Sequence, residues 1–472
     1  MLTLAHFLHT LTQYQPTGRE PAVSSVVVDS REAVADSLFV ALPGERVDGH
    51  DYVAQAFANG ARAALVSKPI AGGHFTADLR GNRLNTPLPA AWPARICLLV
   101  DDTLAAMHTA ARAWRNQFGV RVIGVTGSVG KTSTKELIHA VLSSRYPTFK
   151  SPGNRNSVLG LPPALFDLRP FHQRAVLEMG MYIPGEIAEL CALTQPTIGV
   201  VTNIGPVHLE RAGSMEAIVA AKRELVESLP ASGTAILNQD DERVMSMADH
   251  TQATIFTYGL DERADLWANN ISSMGLDGMR FTLHYRGEAL NVQVPLLGRH
   301  SVHTALRATA VGLVDGLDWD DIVRGLRLMS GQLRLVAVPG PKNSIIIDDT
   351  YNSSPDSALA ALNLLNDLDG RHVAVLGDML ELGHMEEVSH RLVGRRAADV
   401  ADVLVAVGQR GRIIGEEALA VGMRPTHVHF VETTPQAIPV VEGLIEANDT
   451  VLIKGSLGMQ MSQIVAALGR DN

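Results

Sequence analysis

Short apolar runs recur along the chain, separated by stretches whose apolar residues return every third or fourth position. That alternation predicts buried strands joined by helices, the pattern of a mostly parallel α/β fold. Ser25 to Val28, Ser37 to Leu42, Ala63 to Val66 and Ile96 to Val100 read as strands, and Tyr52 to Asn59 and Thr103 to Phe118 as helices. Between Lys68 and Pro93 the glycine, proline and asparagine content predicts an excursion loop. Beyond Val122 the strand candidates are Ala175 to Leu177, Ile198 to Thr202 and Thr234 to Leu237, whose carboxyl ends carry Glu178, Asn203 and Asn238. Trp267 to Val294 alternates with a period of two, so an antiparallel addition is expected there. Ser344 to Ile347, His372 to Leu376, Val403 to Val407, His427 to Val431 and Thr450 to Ile453 alternate with helices as a doubly wound sheet does. The expected domains are a smaller N-terminal α/β domain over 1–102, a central domain with a mostly parallel sheet over 103–330, and a doubly wound C-terminal domain over 331–472.

Composition narrows the class. Of 472 residues 46% are hydrophobic, enough for several cores, and the formal charge of −10 with no basic cluster argues against a nucleic-acid partner. Two distant cysteines match no metal-ligand spacing and fit a reducing compartment. The N-terminal stretch MLTLAHFLHTLTQYQ is of mixed character and is no signal peptide, and no apolar run is long enough for a membrane span. A cytoplasmic protein with no membrane partner is expected, with a monomer as the default state.

The most informative chemistry lies at Gly124 to Glu136, GVTGSVGKTSTKE, after the apolar Val122 and Ile123. A strand, a turn of small residues and a helix start form a cradle in which backbone N–H groups meet phosphate oxygens. Thr126, Gly127, Ser128, Val129, Gly130 and Ser133 shape that cradle; Lys131 supplies charge to the β- and γ-phosphates and Thr132 a hydroxyl for Mg²⁺. The general loop pattern asks for glycine where Val125 stands. Other positions leave alternatives open. Glu178 is a Mg²⁺ ligand or a capping carboxylate, and His208 in TNIGPVHLER is a metal ligand or a structural imidazole. Lys222 in AIVAAKRE reads as a helix-surface lysine. The amides of GNRNSVLGLP, Asn154 among them, can bind an anion or tie a turn, and Asp348 and Asp349 can reach a ribose or Mg²⁺ or cap a helix.

Taken with DSR at Asp29 to Arg31, DGHDY at Asp48 to Tyr52, DDTYNSSP at Asp348 to Pro355 and VLGDMLELG at Val375 to Gly383, the chain resembles the Mur ligases, ATP-dependent enzymes of peptidoglycan precursor synthesis. The resemblance runs from about Val26 to the C-terminus, excepting the 68–93 loop and the 262–290 region, and implies a P-loop ATPase-type central domain and a Rossmann-like C-terminal domain. Tyr351-Asn352-Ser353 stands where amino-acid-adding members carry an aromatic-alanine-histidine sequence. That implies UDP-N-acetylmuramoyl-tripeptide and D-alanyl-D-alanine as substrates, joined through an acyl phosphate. The resemblance further implies Lys131, Asn154, Glu178, His208 and Lys222 as catalytic positions, with Lys222 carbamylated by CO2. It implies two Mg²⁺ ions on Thr132, Glu178, His208 and the Lys222 carbamate, and ATP contacts from Arg334 and Asp349. Ser30 and Arg31 are the implied uridine-nucleotide contacts, and Asn352 and Asp378 further substrate contacts.

Four positions depart from the family pattern. GRHSVHT carries Ser301 and Thr304 where asparagines are usual, Leu457 replaces an arginine, and Ser462 a glutamate. The alternatives are a ligase adding a single amino acid, a folylpolyglutamate synthetase, which lacks the domain bearing Asp29-Ser30-Arg31, and a catalytically impaired homologue that only holds nucleotide or precursor.

Overall fold

The computed structural model describes residues 1–44, 47–206, 209–328 and 336–469. The chain is α/β with three sheets, mostly parallel, as its pattern predicts. It divides into two compact units: Met1–Gly124 with Tyr146–Met181 and Glu186–Thr197, and Val125–Arg145 with Tyr182–Gly185 and Ile198–Asn472.

In the first unit five parallel strands lie in the order Val26–Val27, Leu38–Val40, Ala63–Val66, Ile96–Leu99, Phe75–Asp78. Val27, Phe39, Ala64, Val66, Cys97 and Leu99 gather against Val53, Ala56 and Phe57 of the helix Val53–Ala58. Phe75–Asp78 falls inside the stretch expected to be a loop. It is an edge strand in which only Ala77 is fully buried, so its hydrophobic signal is weak. The N-terminal residues of mixed character form a helix, Leu4–Thr12, which buries Leu4, Phe7, Leu8 and Leu11 along one stripe. Thr148–Lys150 and Arg174–Glu178 pair in parallel in the same unit.

In the second unit Ile198–Val201, Thr234–Asn238, Thr254–Gly259 and Leu266–Ser273 pair in parallel. Met279–Tyr285 and Glu288–Val294 then add antiparallel strands where the period of two predicts them. The third sheet runs Val336–Pro339, Ile345–Asp349, Thr450–Lys454, His372–Gly377, Val403–Val407, Val428–Val431, antiparallel only at its first pair. Successive residues of its strands enter opposite cores. Ala374, Leu376, Leu404 and Leu452 pack with Leu362, Leu365, Val393 and Ile414. Val373, Val375, Val405 and Ile453 pack with Ala437, Val441, Ile464 and Val465. A sheet covered on both faces needs apolar residues at every strand position, which is why these strands read as unbroken apolar runs.

The helix Lys131–Ser143 is gripped closely. Gly325 of the helix Trp319–Arg327 lies against the Val141 backbone, where an added Cβ would overlap it. Among the described residues no helix is long and apolar enough to cross a membrane. Gly325→Ala is expected to push two helices apart and lower stability by about 1–3 kcal/mol, the usual scale of overpacking. Chemical denaturation reads this directly, and an unchanged midpoint would show that the helices slide freely.

Candidate active site

The strand Arg121–Thr126 ends in the turn Gly127 to Gly130, and the helix Lys131–Ser143 begins immediately after. Val125 is fully buried, so this loop keeps a core side chain where the general pattern has glycine. Gly127 has φ +141, and a Cβ there would collide with the Thr202 hydroxyl, so both backbone shape and space demand glycine. Thr202 Oγ1 donates to the Val129 carbonyl at 2.7 Å. Ser128 N–H donates to the Asn203 carbonyl and Val129 N–H to Asn203 Oδ1, both at 2.9 Å. Gly205 N–H donates to Ser128 Oγ at 2.8 Å. The segment after strand Ile198–Val201 therefore braces the loop from behind.

This bracing divides the cradle. The amides of Ser128 and Val129 are engaged with Asn203, whereas Lys131, Thr132 and Ser133 form the first turn of the helix. A helix start of this kind carries the partial positive charge of the helix and is suited to an anion. Lys131 Nζ folds back onto the carbonyls of Gly127 at 2.8 Å and Ser128 at 3.2 Å. Thr126 is buried at the strand end and accepts the Thr202 N–H at 2.9 Å.

Lys222 is not the surface lysine its composition suggests. On the helix Met215–Glu227 it is only 2% exposed, in a stripe with Ile218, Ala221, Leu225 and Val226. Burial, and then the neighbouring Lys131 ammonium, lower its pKa well below the ordinary lysine value. This is a cation drawn into a packed apolar stripe. The spacing itself carried the signal: position 222 is four after Ile218 and three before Leu225. His208 and Arg334 lie outside the described residues.

In the first unit Glu178 is the last residue of strand Arg174–Glu178 and is 1% exposed. Its Oε1 accepts from Asn156 Nδ2 at 2.8 Å, and its N–H donates to Ser151 Oγ at 3.2 Å. Asn154 is exposed, so of the two amides in that loop it is Asn156 that reaches the carboxylate. Asp29 caps the turn Ser30–Glu32 and holds the exposed Arg31 at 2.6 Å, while Ser30 turns inward to Gln55 at 3.0 Å.

In the second unit Asp349 ends its strand in a buried ion pair with Lys454 at 2.7 Å. Lys454 also donates to the Asn352 carbonyl at 2.8 Å, and Asn352 Oδ1 accepts from Ser353 N–H at 2.9 Å. Asp378 is buried, with Oδ1 accepting the N–H groups of Arg410 at 3.0 Å and Gly411 at 2.7 Å, so it caps the helix Gly411–Ala420. Asp348 accepts from Thr350 N–H at 3.0 Å within its own turn. Ser301 and Thr304 are buried in the helix Ser301–Val314, and Ser301 Oγ donates to the Gly298 carbonyl at 2.7 Å. Leu457 is 58% exposed.

Gly127→Ala is expected to weaken ADP binding by roughly tenfold or more, about 1.4 kcal/mol, because the loop must leave Thr202 to admit a methyl group. Calorimetric titration is the check, and parental affinity would mean that the strand end can move without harm to the cradle.

Comparison with known proteins bears on this arrangement. Residues 125–312 match the Mur ligase middle domain, 334–457 the Mur ligase glutamate ligase domain, and 22–82 the Mur ligase family catalytic domain. The UDP-N-acetylmuramoyl-tripeptide–D-alanyl-D-alanine ligase of Bacillus subtilis is 36% identical over 97% of this chain and 95% of its own length. The ligase of the same name from Escherichia coli is 35% identical over 96% of this chain and 95% of its own. Among solved structures, MurF of Acinetobacter baumannii superposes with a TM-score of 0.83 at 32% identity, covering 98% of both chains. With 36% identity over nearly the full length and three Mur ligase family models matched along it, the chain belongs to the Mur ligase family.

Proposed function

We infer that this protein is an ATP-dependent ligase that joins D-alanyl-D-alanine to UDP-N-acetylmuramoyl-tripeptide in peptidoglycan precursor synthesis. The observation that carries this reading is near-full-length identity of 36% to a relative of that name. The tripeptide's terminal carboxylate attacks the γ-phosphate, ADP leaves, and the dipeptide amine displaces phosphate from the acyl phosphate to form the amide. Cytoplasmic location follows from a reaction that consumes ATP and a nucleotide-linked precursor.

Charge is the difficulty in the first step, since a carboxylate must approach a polyphosphate. Lys131 meets it by swinging from the Gly127 and Ser128 carbonyls onto the phosphates, while the amides of 131–133 hold them. Magnesium, when bound, screens the two anions from each other. In the second unit Thr132 and Lys222 are its candidate holders, in the first Glu178; His208 completes the proposed set. The buried Lys222 amine fits that assignment. Burial beside Lys131 favours its neutral form, the form that adds CO2, and the resulting carbamate is an anion suited both to Lys131 and to a hard cation.

We further propose that 1–102 holds the uridine nucleotide, through Arg31 and Ser30, that 103–330 holds ATP, with Asn154, Arg334 and Asp349 as further contacts, and that 331–472 presents the amine substrate near Asn352 and Asp378. Two of these side chains have second duties: Asp378 caps a helix and Ser30 bonds Gln55. Their contribution to binding is therefore through backbone position as much as through free side-chain groups.

ADP release should require D-alanyl-D-alanine together with the tripeptide nucleotide and fall to background in Lys131→Ala. Turnover with a single amino acid in place of the dipeptide would overturn the substrate assignment and leave the chemistry standing. Removing CO2 and bicarbonate should reversibly lower turnover, and Lys222→Ala should lower it by roughly a hundredfold, the scale of losing one preorganised electrostatic group. Turnover indifferent to both treatments would rule out the carbamate.

A further inference from the structure

Arg307 lies in the middle of the helix Ser301–Val314 among Ala305, Leu306, Ala308 and Val311, and is only 6% exposed. A guanidinium is a permanent cation with donors in a fixed fork, and burying one requires both hydrogen bonds and countercharge. The hydrogen bonds are present. Nε donates to Tyr258 Oη at 2.8 Å and Nη1 to Thr134 Oγ1 at 2.7 Å. Tyr258, itself fully buried, directs its own proton at the carbonyls of Val201, 3.1 Å away, and Thr202, 3.0 Å away, so its oxygen is left to accept. A directly paired countercharge is absent among the described residues. Both partners are neutral hydroxyls, and among the described residues no carboxylate forms an ion pair with Arg307.

The location explains the imbalance. Thr134 stands in the first turn of the helix Lys131–Ser143, and a Cβ added at Gly130 would lie 3.3 Å from Arg307 Nη1. The charge therefore sits directly behind the turn whose other side faces phosphate. Tyr258, through Val201 and Thr202, ties it to the same segment that braces the loop.

We propose that Arg307 is a positioning residue for the nucleotide: a buried cation behind Gly130 that holds the loop to Thr134 and Tyr258 and acquires its countercharge only when a nucleoside polyphosphate occupies the cradle. The inference rests on the reading of this loop as the ATP site. Its consequence is a division of labour. Lys131 reaches the phosphates from the front and moves, whereas Arg307 acts from behind and stays fixed. An unmatched buried charge also burdens the empty protein, so its removal leaves nucleotide-free stability intact while nucleotide binding suffers.

The test compares Arg307→Gln, which keeps a donor and discards the charge, with Arg307→Lys, which keeps the charge, by ADP calorimetry and by thermal unfolding without nucleotide. Arg307→Gln should bind ADP roughly tenfold or more weakly, with an unchanged or raised nucleotide-free Tm and with a raised KM for ATP at nearly parental kcat. Arg307→Lys should retain most of the affinity. Parental ADP affinity in Arg307→Gln overturns the inference. So does a lowered nucleotide-free Tm with equal loss of affinity in both variants, the result of a purely structural role. Should Arg307→Gln not fold, Arg307→Met is read by the same criteria, and failure of both to fold where Arg307→Lys folds and binds ADP weakly also overturns it. If the parent itself binds no ADP, the ATP-site reading falls and takes this inference with it, whereas a parent that binds and variants that match it sink the inference alone.

Discussion

Positive charge withdrawn from water around one short turn is the constraint on which the second unit is arranged. Lys131, Lys222 and Arg307 are held close to the phosphate loop, two of them almost wholly buried, and the nearest helix points its positive end the same way. Such a concentration works against the empty protein. The fold manages it by three different means: Lys131 rests on carbonyl dipoles, Arg307 on hydroxyls, and Lys222 shifts toward the neutral form.

Rigidity behind the loop follows from the same need. A turn that must present charge without collapsing requires anchoring on the side away from the ligand. Thr202, Asn203 and Gly205 supply it, just past the carboxyl end of a strand, and Gly127 is the position at which no side chain can be accommodated. The edge of a parallel sheet thus serves two purposes, as ligand crevice and as abutment.

Much of this was legible in the chain. Unbroken apolar runs such as Val403 to Val407 identify strands covered on both faces, and Gly-Lys-Thr-Ser after a strand identifies the cradle. What escaped did so for physical reasons. Phe75–Asp78 buries a single residue, too little to raise a pattern above its glycine- and proline-rich surroundings. Asn154 and Asn156 are chemically identical, and only the fold decides which faces Glu178. Asp378 stands at a strand end like a ligand-binding carboxylate, but helix amides brought from more than thirty residues away claim it. Lys222 and Arg307 are apolar-stripe positions occupied by cations, and a helical wheel drawn without regard to charge would have marked both as interior.

The folded-back Lys131 has a kinetic meaning. Its ammonium occupies the carbonyls of its own loop, so the cradle is self-ligated before any nucleotide arrives. On the proposed reading, capture is an exchange rather than a docking: the contacts to the Gly127 and Ser128 carbonyls dissolve as phosphate contacts form. A competitor that fills the cradle without an anionic oxygen to draw that side chain outward must sit beside a lysine still satisfied at home, gaining bulk contacts and none of the charge.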